Sequence, residues 1–270
     1  MLEILQYEFM QNAFIVGIII AVLGPLIGVF LIIRRYTMIS DTLSHSSLTG
    51  IIIGLSTGYS PIITTLIYSI FSAMIIEKLR LTKKLAGDMV LALLLAFNLS
   101  IVATVISLNN RFMLNISSYL FGSISLVSRN DVYVIMIVAF IILTTLFFIK
   151  DSLMKVTYDE DNAQASGINS KFINYIFIIL VAMLITLSMP ITGILLLSVL
   201  IILPVIVATQ ISWSFRSTLI ISEIVSIFSV ITGIIISYYF DISASGIISF
   251  ILLGLFALFF IVSRFRILKI

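Results

Sequence analysis

Residues 13–33 read AFIVGIIIAVLGPLIGVFLII, 21 positions without one charged side chain. A bilayer core of about 30 Å is crossed by about 20 helical residues, so this run is long enough to span it as a helix. The same pattern recurs along the chain, at 42–58, 61–76, 89–108, 132–149, 172–189, 193–211, 217–240 and 246–263. No ten-residue alternation of apolar and polar positions appears, which disfavours a lipid-facing β-barrel. The expected fold is all-α: a polytopic transmembrane bundle of eight to ten helices.

Composition points the same way. The chain is 61% hydrophobic and 10% charged, with a mean hydropathy of +1.29. Soluble domains carry roughly a quarter charged residues, so this chain cannot cover itself with a water-compatible surface. It has no cysteine, which excludes a disulfide framework, a thiolate metal site and a cysteine nucleophile. The net charge of +3 comes from residues beside the spans, so it reports orientation and not nucleic-acid binding.

Residues 112–128, FMLNISSYLFGSISLVS, are apolar but short and Ser-rich, and read as a re-entrant or interfacial segment. The N-terminus lacks a basic n-region and carries Glu3 and Glu8, so the first span is expected to be retained and not cleaved as a signal peptide. No polar linker interrupts the series, so residues 1–270 are expected to form one domain.

Basic residues set the orientation. Arg34, Arg35, Lys78, Arg80, Lys83, Lys84, Lys150, Lys155, Lys171, Arg216, Arg264, Arg266 and Lys269 flank the spans on one side, and only Arg111 and Arg129 on the other. Basic loops face the cytoplasm, which puts the C-terminus there and the N-terminus outside. The longest polar stretch, 150–171, is then a cytoplasmic loop. Within it Asp159, Glu160 and Asp161 suit the positive N-terminal end of a short helix. Gly167 falls where a left-handed C-terminal cap would sit.

Ionisable groups within apolar spans are costly and mark function by default. Asp41 and His45 stand four apart in DTLSH, on one face of a helix and one turn from each other. His45 is the only histidine, and it lies ten residues beyond Arg35, roughly 15 Å into the core if helical. Such a pair can bind a divalent cation, relay a proton, or bond internally. Zinc takes N and O ligands, usually four. One chain offers two, and a homodimer with this helix at its axis would offer four. Glu223, seven residues beyond Arg216, reads as structural more readily than as part of a pathway. Asn98 and the Ser/Thr residues within spans suit interhelical hydrogen bonds. Pro25 and Pro204 each remove a backbone donor and are expected to kink their helices. There is no GxxxxGK[ST] loop, GxSxG or HExxH, so neither ATP binding through a P-loop nor an enzyme is expected.

The stretch RRYTMISDTLSHSSLTGIIIGL (34–55) resembles the membrane subunits of the zinc/manganese/iron ABC permease family. SSYLFGSISLVSRNDV (117–132), YDEDNAQASGINSKFIN (158–174) and TGILLLSVLIILPVIVATQI (192–211) resemble further segments of that family, in order along nearly the whole chain. The resemblance is greatest to the Gram-positive zinc permeases. It implies a homodimer in the cell membrane that takes Zn2+, or Mn2+, from an extracellular metal-binding lipoprotein and is driven by a separate cytoplasmic ABC ATPase dimer. It implies that Asp41 and His45 line the metal pathway. It also implies that about 158–168 is the coupling helix on the ATPase, through Asp159 or Asp161, Ala163 or Ala165, and Gly167. The chain itself would hold no permanent cofactor. Two other classes compete: a proton- or cation-coupled secondary metal transporter in which Asp41 and His45 titrate, and a membrane assembly subunit that transports nothing. A neighbouring gene for a P-loop ATPase favours the importer over the first. Unchanged function after replacing Asp41 and His45 favours the last.

Overall fold

The computed structural model describes residues 6–82, 87–108, 119–122 and 128–267. Among them the chain forms nine helices of six residues or more. They are α1 (Glu8–Ile33), α2 (Thr37–Thr57), α3 (Pro61–Leu81), α4 (Gly87–Leu108), α5 (Arg129–Tyr158), α6 (Glu160–Ala165), α7 (Ser170–Thr209), α8 (Phe215–Phe240) and α9 (Ala244–Ile267). No strand occurs among the described residues. Eight segments are long and apolar enough to cross a membrane, counting Ser170–Met189 and Thr192–Thr209 of α7 separately. The remaining expected span, α2, matches α3 in length but is rich in hydroxyls and falls outside that set.

α7 turns back on itself. Phe30, near the end of α1, packs against Phe177 and Phe215 with ring centroids 6.0 and 5.7 Å apart. A straight 40-residue helix would be about 60 Å long and could not bring both of its flanks to one ring. The reversal is at Gly193, with φ 65° and ψ 168°, a conformation costly for any residue with a Cβ. The backbone of Leu120–Gly122 lies against Gly193, and Ser245 Oγ, at the start of α9, donates to the Phe121 carbonyl at 2.5 Å. Residues 119–122 and Ser128 are the described part of the expected re-entrant segment; 112–118 and 123–127 lie outside the described residues. α1 continues through Pro25, and the non-helical residue of α7 is Gly193 and not Pro204. A missing donor within a span is tolerated where neighbouring helices support the turn.

Among the eight candidate spans, α1 and both halves of α7 are the most enclosed. α2 packs against α3, α4 and α7; α8 packs on α1, α7 and α9; α5 packs on α1 and α7. The outer faces stay apolar: Phe71, Phe148 and Phe250 are exposed, as lipid-facing side chains would be. Lipid tails are as apolar as leucine, so helices in a bilayer associate through close packing of small residues and through hydrogen bonds. Gly50 and Gly54 supply such a surface toward α3, where a Cβ on Gly50 would lie 2.6 Å from Thr65 Cα.

The described basic residues Arg34, Arg80, Lys155 and Lys171 collect with Arg216 at one end of the bundle, where α1, α3 and α5 finish and α7 and α8 begin. Arg129 lies at the other end, 3.7 Å from Glu8. Lys83, Lys84, Arg111 and Lys269, and the side chains of Arg264 and Arg266, lie outside the described residues.

Candidate ion pathway and coupling segment

α2 owes its place to its hydroxyls. Thr42, Ser44, Ser46 and Ser47 are buried, and all four donate to the carbonyl one turn earlier: Thr42 to Met38 at 3.1 Å, Ser44 to Ser40 at 2.7 Å, Ser46 to Thr42 at 3.0 Å and Ser47 to Leu43 at 2.9 Å. Such back-bonding satisfies a hydroxyl within a helix. Ser46 and Ser47 also bridge outward. Ser47 and Ser69 of α3 share a hydrogen bond of 2.9 Å. Asn98 of α4 donates to Ser46 Oγ at 3.0 Å and to the Leu94 carbonyl at 2.7 Å, and accepts from Tyr68 of α3 at 3.0 Å. Asn98 is thus the interhelical bonding residue that its position within a span suggested. One residue ties together three helices.

Asp41 and His45 stand on the half-buried face of this helix, between buried neighbours on either side. The Asp41 carboxylate accepts, through Oδ1, a hydrogen bond from Ser198 on the second half of α7. His45 Nδ1 is buried without a hydrogen-bond partner. A buried polar atom left unpaired costs about 1–3 kcal/mol, so the imidazole presents a nitrogen in need of a partner. Among the described residues no group of three or more His, Cys, Asp or Glu side chains comes together. The structure places Asp41 and His45 on one turn-to-turn face of α2, and Glu223 on another helix: it is half-buried on α8, which packs on α1, α7 and α9. Ser198 was not foreseen from sequence. The one available signal was its isolation, as the only polar side chain between Thr192 and Thr209.

The segment 158–168 forms the expected short helix, α6. Asp159 caps it, accepting from the Asn162 amide at 2.9 Å. Gly167, φ 83°, closes it in the left-handed region, with Ile168 N–H donating to the Ala163 carbonyl at 3.1 Å and Gly167 N–H to Gln164 at 3.0 Å. This is a Schellman closure, satisfying carbonyls that the helix end would leave free. The small residues divide. Ala163 is buried against the bundle, whereas Ala165 and Gly167, with Asp159 and Asp161, are exposed.

α6 is stitched to the bundle by polar bonds at its first residue. Glu160 Oε1 accepts from Asn174 Nδ2 at 2.9 Å, and Ser170 Oγ donates to the Glu160 carbonyl at 3.3 Å. Asn174 Oδ1 accepts from Arg34, whose Nε donates to Thr157 at 2.8 Å and whose guanidinium lies 4.9 Å above the Phe177 ring. Burial and repulsion from Arg80 push the Arg34 pKa down to about 10, with Glu160 and Glu77 pulling the other way. Arg80 pairs with buried Glu77 at 2.6 Å and donates to the Tyr36 hydroxyl just before α2. The 158–168 segment, the α1–α2 corner and the start of α7 therefore share one polar cluster.

Comparison with known proteins agrees with this architecture. A probable metal transport system membrane protein of Treponema pallidum is 34% identical over 242 residues, 90% of this chain and 91% of its own length. The high-affinity zinc uptake system membrane protein ZnuB of Haemophilus influenzae is 29% identical over 239 residues, 88% of this chain and 92% of its own. Further relatives carry the names of iron and manganese transport membrane proteins. Among solved structures, PsaBC from Streptococcus pneumoniae in complex with Fab shares the fold, with a TM-score of 0.86 at 23% identity over 99% of this chain and 97% of that one. The defining pattern of the ABC 3 transport family matches residues 6–263, and this multi-pass membrane chain belongs to that family.

Proposed function

We propose that the chain is the membrane-spanning permease subunit of an ABC importer for a divalent transition-metal ion, with zinc the first choice. On this reading the whole chain is one permease domain. Two copies pair so that Asp41 and His45 of each supply a four-ligand site. A separate cytoplasmic ATPase dimer docks on α6, an extracellular binding protein delivers the ion, and the C-terminus is cytoplasmic. The observation that carries the reading is the placement of Asp41 and His45, one turn apart on the half-buried face of the hydroxyl-rich helix α2, with His45 Nδ1 buried and unpartnered.

The chemistry is consistent with a moving ion. Two carboxylates and two neutral imidazoles give a ligand charge of −2, which offsets a divalent cation that is otherwise costly at mid-membrane. Zinc accepts such N and O donors. Manganese accepts carboxylate and imidazole as well, so the ligand types do not separate the two metals. The names of relatives support a metal, with zinc named in several of them and iron or manganese in others. Weak binding suits the role, because an ion that cannot leave is not conducted.

The test is uptake of radioactive zinc and manganese into proteoliposomes holding the chain with its ATPase and binding protein. His45→Ala is expected to abolish uptake with assembly intact, and Asp41→Asn to weaken it by removing charge at nearly constant shape. An assembled His45→Ala complex that imports both metals at the unaltered rate would end this reading.

A further inference from the structure

We infer that Ser198 is a positioning residue of the ion site: its hydroxyl holds the Asp41 carboxylate, so that the second half of α7 forms a wall of that site. The inference rests on the proposed role of Asp41 and His45 and adds a third side chain to it, from an element far away in sequence.

A serine in an apolar span ordinarily satisfies itself. Its single proton goes to the carbonyl one turn back, as those of Ser44, Ser47 and Ser188 do, at 2.7, 2.9 and 2.8 Å. Ser198 spends its proton differently, donating across 157 positions of sequence to Asp41 Oδ1. A hydroxyl has one proton, so this bond replaces the local one.

The donor is also held firmly. Leu197, Leu200 and Ile201 around it are 0, 2 and 0% exposed. The backbone of Leu200 and Ile201 lies against Gly24 and Gly28 of α1, with the Leu200 carbonyl 3.5 Å from where a Gly24 Cβ would stand. The reversal at Gly193 lies five residues before Ser198 and returns the chain toward α2. A ligand works best when its own rotamer is fixed by packing and by a hydrogen bond from behind. A carboxylate has about four lone-pair positions. One taken by Ser198 fixes the group and leaves the others for an ion. The same bond makes the ion a tie between α2 and α7.

The probe is Co2+, which takes the same N and O donors as zinc and reports its ligand geometry by visible absorption. The purified full-length protein in lipid nanodiscs is titrated as the unaltered chain and as Ser198→Ala, Ser198→Thr, Asp41→Asn and His45→Ala. Loss of a hydrogen bond behind a metal ligand typically costs 10–100-fold in affinity. Ser198→Ala is therefore expected to weaken Co2+ binding about tenfold or more and to change the absorption band. Ser198→Thr, which keeps the hydroxyl, should stay close to the unaltered protein. If Asp41→Asn and His45→Ala lose binding while Ser198→Ala binds with unchanged affinity and band, the role of Ser198 is overturned and the Asp41–His45 reading stands. Equal losses in Ser198→Ala and Ser198→Thr would also overturn it, because packing and not the hydroxyl would then be at work. Unchanged binding in Asp41→Asn and His45→Ala would overturn both.

Discussion

Arg34 donates through Nη1 to Asn174 Oδ1 at 2.7 Å, tying the end of α1 to the first turns of α7 across 140 positions of sequence. Asn174 is 2% exposed and passes the connection on to Glu160 of α6. Removing the amide leaves a buried guanidinium without one of its acceptors. Asn174→Leu is expected to cost about 1–3 kcal/mol of stability, read as a lower unfolding temperature in detergent. Arg34→Lys should not be a mild change, because an ammonium cannot reproduce the fork that reaches Thr157 and Asn174 together. Unaltered melting of both variants would show that the cluster adds nothing.

Asn98 links α2, α3 and α4 through Ser46 and Tyr68. Interhelical hydrogen bonds in membrane proteins are worth about 0.6–2 kcal/mol each. Asn98→Leu, which keeps the volume and removes both bonds, should therefore lower stability by about 1–2 kcal/mol. Tyr68→Phe should give a smaller loss. Thermal unfolding of the two variants and their double mutant measures whether the bonds are coupled.

Gly50 is a packing requirement. A Cβ there meets the α3 backbone at 2.6 Å, where no flexible side-chain end can swing away. Gly50→Ala is expected to splay α2 from α3 and lower the yield of monodisperse protein. Gly254→Ala, whose new Cβ meets nothing within 4 Å, is the control and should be neutral. Size-exclusion profiles of the two variants decide it, and equal profiles would show that α2 and α3 can part at little cost.

The exposed face of α6 should respond to bulk and the buried face should not tolerate it. Ala165→Trp is expected to uncouple ATP hydrolysis from uptake in the reconstituted complex while the protein remains folded. Ala163→Trp should instead unfold or fail to insert, because Ala163 is 3% exposed. At Gly167, φ 83°, Asn should be tolerated better than Val, since a β-branched side chain is strained in the left-handed region. A coupled, fully active Ala165→Trp complex would argue against docking on this segment.

Orientation is open to a direct check. The charge distribution predicts that a reporter fused after Ile270 is active on the cytoplasmic side. Activity confined to the exterior would reverse the assignment, and with it the side on which α6 lies.

Much of the fold was readable from residue order. Each span is set by the length of its own apolar run, because a helix satisfies its backbone locally and needs no distant partner. The cap and closure of α6 were readable for the same reason: Asp159 and Gly167 act on atoms within a few residues of themselves. The spacing of Asp41 and His45 follows from helical periodicity alone. What those residues face does not. That Ser198 reaches Asp41, that Ala163 turns inward while Ala165 stays open, and that Arg34, Asn174 and Glu160 join one cluster depend on how the helices pack. The reversal at Gly193, at the break between the apolar runs 172–189 and 193–211, decides that packing by returning α7 beside α1 and α2. A one-dimensional pattern specifies which segments enter the membrane. Side-chain contacts between segments far apart in sequence arise only when the assembled bundle brings them within bonding distance.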